Sequence, residues 1–155
     1  MNLIDANYNR ITIPYDSYVL VALDSLFMAK TMASHDALLR WQDSFWQIQM
    51  PIVLVSTDPN YRVSRSYIHY LYCIDRSFYK EYHRYQTKMV FGKKVEILQP
   101  GLFVVARGKV IKTMNRVNEK SIAEVYLFVL KRWVKDQQKK VKKIMSTEND
   151  SVLKF

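Results

Sequence analysis

Ser34, His35 and Asp36 are consecutive residues of the types that serve as a nucleophile, a general base and the carboxylate that orients the base. Such a group works only when its members lie close together in a specific geometry, which adjacency in sequence does not provide. Ser and Asp are also favoured at helix starts, because their side-chain oxygens accept hydrogen bonds from free backbone N–H groups. The apolar spacing that follows predicts a helix beginning here, so no catalytic residue is predicted.

His69 and Cys73 are four residues apart, a spacing that places two metal ligands on one face of a helix. His83 is too far along to complete a tight site, and the chain has no second cysteine. The sequence contains no Gly-rich phosphate loop and no nucleophile elbow. It therefore predicts no metal and no cofactor, and it does not predict an enzyme. The single cysteine also excludes an intramolecular disulfide.

Basic residues dominate the charge of this 155-residue chain, whose formal net charge is +10. Such a charge favours an acidic partner, which is nucleic acid, an anionic lipid surface or an acidic protein. Tyrosines and arginines between Tyr61 and Tyr85 could stack on bases and hold phosphates, but their helical apolar spacing favours packing in a core. The densest basic run lies near the C-terminus and is either a solvated face or the contact for an acidic partner through Lys135, Lys139, Lys140, Lys142 and Lys143.

The first ninety residues are predicted to be mostly helical. Apolar residues recur at helical spacing and predict helices over Tyr15–Met32, from Ser34 to Pro51, and over Val63–Thr87. A short apolar strand or a buried connector, Ile52–Val55, separates the second helix from the third. The apolar run that begins at Tyr18 is closed by Asp24 and is far short of the ~20 residues that span a bilayer.

The remaining chain predicts three consecutive strands, Lys93–Leu98, Leu102–Met114 and Ser121–Val134, with turn residues at each join. Helices followed by strands predict an α+β fold, in which N-terminal helices pack on a curved antiparallel sheet of the nuclear-transport-factor-2 type. We predict a single domain over residues 1–155, with a loose N-terminus at 1–12 and a basic C-terminal segment at 135–155.

Five segments together resemble the soluble domain of the VirB8/TraE family, assembly proteins of bacterial type IV secretion and conjugation machines. They are DSYVLVALDSLFMA, TDPNYRVSRSYI, MVFGKKVEI, FVVARGKVIKT and AEVYLFVLKRW. The resemblance implies a non-enzymatic scaffold that self-associates and binds other secretion-system subunits at the periplasmic face of the inner membrane. One departure is that this sequence lacks the N-terminal membrane anchor of that family; a protein without it would be cytoplasmic.

A wide apolar surface on the first helix and on the third strand predicts a homo-oligomer. Its predicted interface residues are Tyr18, Val21, Met28, Tyr126 and Phe128. A second interpretation is a basic RNA- or DNA-associated protein, possible through the C-terminal lysines, as in a nucleoprotein particle. A third is a small enzyme with a pocket between the helices and the sheet.

Overall fold

The structure, a computed structural model, describes residues 3–5, 7–23, 28–56, 67–73, 85–98 and 101–153. The described residues form eight strands and two helices. In chain order they are β1 (Leu3–Ile4), β2 (Ser17–Leu23), α1 (Met28–Gln47), β3 (Ile52–Ser56), β4 (His69–Cys73), β5 (Tyr85–Val90), β6 (Lys93–Leu98), β7 (Gly101–Ala106), β8 (Lys109–Met114) and α2 (Glu119–Leu153).

Six strands form one mixed sheet in the order β1-β4-β3-β2-β7-β8. The central strands β2, β3 and β4 are parallel, while β7 and β8 continue the sheet as an antiparallel hairpin beside β2. Strands β5 and β6 form a separate two-stranded antiparallel sheet. Parallel neighbours such as β2 and β3 need a crossover connection, and α1 supplies it.

Both faces of the six-stranded sheet are buried, which explains the composition of β2. Val19, Val21 and Leu23 face the core that contains α1 and α2, while Leu20 and Ala22 belong to a second core on the opposite face. A strand covered on both sides is apolar at every position. The helix predicted over Tyr15–Met32 is therefore wrong at Ser17–Leu23, because this apolar run is a buried strand, while its last residues, from Met28, are helical as part of α1.

The second predicted helix is confirmed, although α1 begins at Met28 rather than near Ser34. Its apolar residues Leu38 and Phe45 lie in the core as the spacing predicted. The predicted strand at Ile52–Val55 is also confirmed, since β3 covers it. Local pattern was sufficient for these two elements.

The long helix predicted over Val63–Thr87 is wrong where the structure describes it. His69–Cys73 is the strand β4, which pairs with β3, and Tyr85 begins β5. Residues 57–66 and 74–84, which include the predicted turn at 58–60, lie outside the described residues. Leu3 and Ile4, within the N-terminal segment that was predicted to be loose, pair with β4.

The predicted third strand, Ser121–Val134, is instead the first part of the helix α2. Asn118 and Ser121 form the helix start, since the backbone N–H of each donates to the side-chain oxygen of the other, at 2.9 Å in both cases. The residues that α2 buries recur three and four apart, which is helical spacing: Ile122, Val125 and Val129.

One carboxylate joins the second half of α1 to the start of α2. Trp41 Nε1 donates to Glu119 Oε2 at 2.7 Å, and the Arg40 guanidinium forms an ion pair with the same carboxylate. The hydrogen bonds from Trp41 and then from Arg40 hold the pKa of Glu119 below its ordinary value. Both helices thus pack side by side on one face of a mixed sheet, and the predicted α+β fold with a curved antiparallel sheet is wrong.

Candidate functional site

The carboxyl ends of the three parallel strands meet at one edge of the sheet. Leu23 at the end of β2 lies opposite Ser56 at the end of β3, and Ser56 pairs with Tyr72 near the end of β4. Strand β8 runs in the same direction, so α1 and α2, which follow β2 and β8, both begin here. This helix-start edge therefore gathers the free N–H groups and the positive dipole ends of two helices.

Helix α1 runs alongside β4 in the opposite direction, as three contacts show. The Trp46 ring stacks on Tyr67 with centroids 4.9 Å apart, and Gln42 Oε1 accepts a hydrogen bond from the Tyr67 backbone N–H at 2.8 Å. About two helical turns before Gln42, His35 Nε2 lies 2.6 Å from Tyr70 Oη. Because the two elements run in opposite directions, the start of α1 lies toward the end of β4, whose last residue is Cys73.

Cys73, the only cysteine of the chain, is the last residue of β4, and its Cα pairs with that of Leu3 in β1. It therefore lies at the helix-start edge. The sequence placed it with His69 on a helix, but four residues of strand span about 13 Å, too far for one metal ion. Among the described residues no group of three or more His, Cys, Asp and Glu could hold a metal.

Ser34, His35 and Asp36 do not assemble as a catalytic group. The Ser34 hydroxyl donates to the Val117 carbonyl at 2.7 Å, while His35 bonds to Tyr70 and Asp36 is exposed. Ser34 lies in the second turn of α1, so the helix start predicted for it is wrong. Its contact instead ties α1 to the segment that leads into α2.

Two histidines are partly buried at β4: His35 of α1 contacts Tyr70, and His69 is the first residue of the strand. Burial lowers the pKa of His35 from its ordinary value, with Asp36 acting weakly in the other direction. Burial also lowers the pKa of His69, opposed by Asp5, and the His69 ring meets that of Tyr15 edge-on at 5.9 Å. The folded protein therefore holds both imidazoles in the neutral form at neutral pH.

These lowered pKa values predict that the protein loses stability as the pH falls. The unfolded chain binds protons on these histidines near pH 6.5, whereas the folded chain binds them only at lower pH, so acid favours unfolding. We expect the thermal midpoint to fall between pH 7.5 and about 5.5, and the His35→Gln/His69→Gln double variant to lose much of that slope. A wild-type midpoint that is flat or rises over this range would contradict the prediction.

A cavity of about 230 Å³ lies at the opposite edge of the sheet, between the end of α1 and the middle of α2. Its lining includes Ser17, Met50, Val104, Arg132, Trp133 and Lys140. The third interpretation of the sequence placed a pocket between the helices and the sheet, and this cavity occupies such a place. It contains no cysteine or histidine, so it is separate from the helix-start edge.

Four of the five predicted interface residues have contacts within the chain. Val21 is fully buried in β2, and Tyr18 packs against the core on the face away from the helices. Tyr126 contacts the rings of Trp41 and Phe45, and Lys112 Nζ lies 5.2 Å from the Phe128 ring centroid. Met28 is the first residue of α1. The wide apolar surface on which the oligomer prediction rested is thus largely the protein's own core.

The predicted acidic-partner contacts all lie on α2, where their side chains are exposed: Lys135, Lys139, Lys140, Lys142 and Lys143. No helix within the described ranges is long and apolar enough to cross a membrane.

No protein-family model and no curated protein sequence matches this chain. Several solved structures do match it. The bacterioferritin comigratory protein of Xanthomonas campestris, described for its alkyl peroxide reduction activity, has a TM-score of 0.63 at 17% identity, over 85% of this chain and 88% of that one. Peroxiredoxin Q of the same organism has a TM-score of 0.64 at 18% identity, over 85% and 90%. Thioredoxin peroxidase I of Plasmodium yoelii has a TM-score of 0.57 at 13% identity, over 87% and 86%.

These likenesses overturn the resemblance to the VirB8/TraE family. The predicted role in type IV secretion or conjugation, the secretion-system partners and the place at the periplasmic face of the inner membrane followed from it and are wrong. The nucleic-acid interpretation gains no support from the matching structures. The prediction that the protein is not an enzyme, drawn from the lack of motifs and from the scaffold resemblance, is overturned as well, because the structures that share the fold are those of peroxidases.

At these identities the likeness establishes the architecture. The mixed sheet of this chain, with its central parallel βαβ unit and antiparallel hairpin, superposes on those structures over most of both chains. The chain has a thioredoxin-like fold of the kind found in peroxiredoxins.

Proposed function

We propose that this chain is a thiol-dependent redox enzyme that reduces peroxides through Cys73. The observation that carries the proposal is the position of the only cysteine, at the edge where α1 begins. Peroxide reduction is the activity for which one protein of the same fold is described.

The helix-start edge suits a thiolate. A thiolate, rather than a thiol, is the nucleophile in such reactions, and the positive end of a helix favours the charged form. Cys73 lies at this edge as the last residue of β4, the strand alongside which α1 runs in the opposite direction.

The reaction would proceed in two stages. The Cys73 thiolate attacks one peroxide oxygen, so that an S–O bond forms, the O–O bond breaks, and the leaving oxygen takes a proton to become alcohol or water. An external thiol then condenses with the sulfenic acid, releasing water and forming a mixed disulfide. A second external thiol displaces Cys73, which leaves as thiolate, and the two external thiols end as a disulfide.

The external reductant is required because of the cysteine count. The matching peroxiredoxin Q structures include variants at two different cysteines, whereas this chain has one. A chain with one cysteine forms no internal disulfide, so the sulfenic acid must be resolved by another molecule. No cysteine lies between Met28 and Ser34 at the start of α1. The reacting thiol is therefore that of Cys73, at the end of β4.

The test measures consumption of cumene hydroperoxide by the full chain with dithiothreitol as reductant. We expect the wild type to consume the peroxide and to form one dimedone adduct in the intact mass, and Cys73→Ser to do neither. Met145→Leu is the matched control, since it removes an exposed sulfur on α2 far from this edge, and it should behave as the wild type. Equal consumption by Cys73→Ser, or no adduct and no consumption by the wild type, would overturn the proposal.

A further inference from the structure

Helix α2 extends well beyond the sheet that its first part covers. Its buried residues end at Val129, and from Val134 to Thr147 every side chain except the half-buried Gln137 is exposed. Isolated helices of this length are marginal in water, because helices in proteins are stabilised mainly by packing of an apolar face. The described residues supply no such packing for this segment.

Exposed apolar side chains nevertheless follow one line along α2. Leu127, Val134 and Val141 are spaced seven residues apart, and Ile144 and Met145 continue the line by three and four residues. Their side chains are between 40% and 59% exposed. Scattered exposed apolar residues are ordinary, but a seven-residue repeat is the pattern of a helix–helix contact. We call these five residues the α2 stripe; it is about 27 Å long.

The charge beside the stripe is of one sign. Between Leu127 and Thr147 every charged residue is basic except Asp136, which falls on the opposite side of the helix. Helical geometry places Lys131, Lys135 and Lys142 along one border of the stripe, and all three are exposed. Charges beside an apolar seam select the partner helix and its orientation.

We propose that the α2 stripe binds an amphipathic helix of another protein whose apolar seam is bordered by acidic residues. A second copy of this chain fits poorly, because its lysines would face the same lysines across the contact. A lipid surface also fits poorly: the exposed part of the stripe lacks aromatic side chains, and Gln137 and Gln138 flank it, whereas interfacial helices present a broad face rich in Trp, Phe and Leu. A narrow apolar stripe with lysines beside it is complementary to a helix that has a narrow apolar stripe bordered by acidic residues.

The test uses the full chain and a synthetic helical peptide of three heptads, with Leu at the a and d positions and Glu at the e and g positions. The glutamates prevent the peptide from pairing with itself at neutral pH, and a matched peptide has Lys in their place. In calorimetry we expect the acidic peptide to bind and the basic peptide not to bind. The affinity of the acidic peptide should fall as the salt concentration rises. Val134→Gln/Val141→Gln/Met145→Gln should abolish binding, and the exposure of these positions leaves the core intact.

Two double variants with the same change in net charge show whether binding depends on the border lysines or only on the overall charge of the protein. Lys135→Gln/Lys142→Gln removes border lysines and should weaken binding by about threefold or more, while Lys139→Gln/Lys143→Gln, on the opposite side, should have little effect. Equal losses in the two double variants, no binding of the acidic peptide, or equal binding of the basic one would overturn the proposal. So would a stripe-dependent dimer in light scattering, or stripe-dependent capture by phosphatidylserine vesicles without peptide binding.

Discussion

Replacing Val104 by Asp is expected to unfold the protein or nearly so. Val104 lies in the middle of β7, is 1% exposed, and faces the core formed with α1 and α2. An unpaired carboxylate there must be buried or protonated, and either costs about 3–5 kcal/mol, a large share of the stability of an ordinary domain. Denaturant unfolding followed by circular dichroism would measure the loss.

The neighbouring strand offers a matched control. Val110 in β8 pairs with Val105 and is 42% exposed, so Val110→Asp introduces the same charge at a strand position open to solvent. We expect Val110→Asp to change stability by under about 1 kcal/mol. Val105→Asp should behave like Val104→Asp, because Val105 is buried in the core on the other face of the sheet. An unchanged midpoint for Val104→Asp would show that β7 is not part of the core.

A cysteine placed in the first turn of α1 is expected to be far more reactive than one placed elsewhere on that helix. The variant Thr31→Cys, made in a Cys73→Ser background, carries its only thiol at the positive end of the helix. Cysteines at helix N-termini have pKa values down to about 7 or lower, against about 8.5 for a free thiol, so the thiolate fraction at pH 7 should rise by about tenfold or more.

The measurement is the rate of iodoacetamide alkylation between pH 5 and 9. The control is Asp43→Cys in the same background, an exposed position late in α1 that lacks the free N–H groups of the first turn. We expect Asp43→Cys to titrate near an ordinary thiol value. Indistinguishable pH profiles for the two cysteines would show that the helix start does not activate a thiol, and would remove the electrostatic basis of the proposed function.

Local pattern was enough for α1 and β3, and the sequence contained one further signal that the strand prediction missed. Ile122, Val125 and Val129 recur at three and four residues behind an Asn–Ser helix start, which is a helical pattern. The apolar composition of the segment led to a strand prediction, although its spacing determined a helix. The basic character of α2 was likewise determined by sequence alone.

Tertiary structure alone decided the identity of β2 and the location of the candidate site. A continuous apolar run such as Val19–Leu23 suits a buried helix or a strand covered on both faces, and only the two cores around the sheet distinguish them. Cys73 and the start of α1 are more than forty residues apart, and they share an edge because β2, β3 and β4 pair in parallel. Pairing between distant strands leaves no local pattern, so the sequence determined which residue is the thiol, and the sheet decided where it lies.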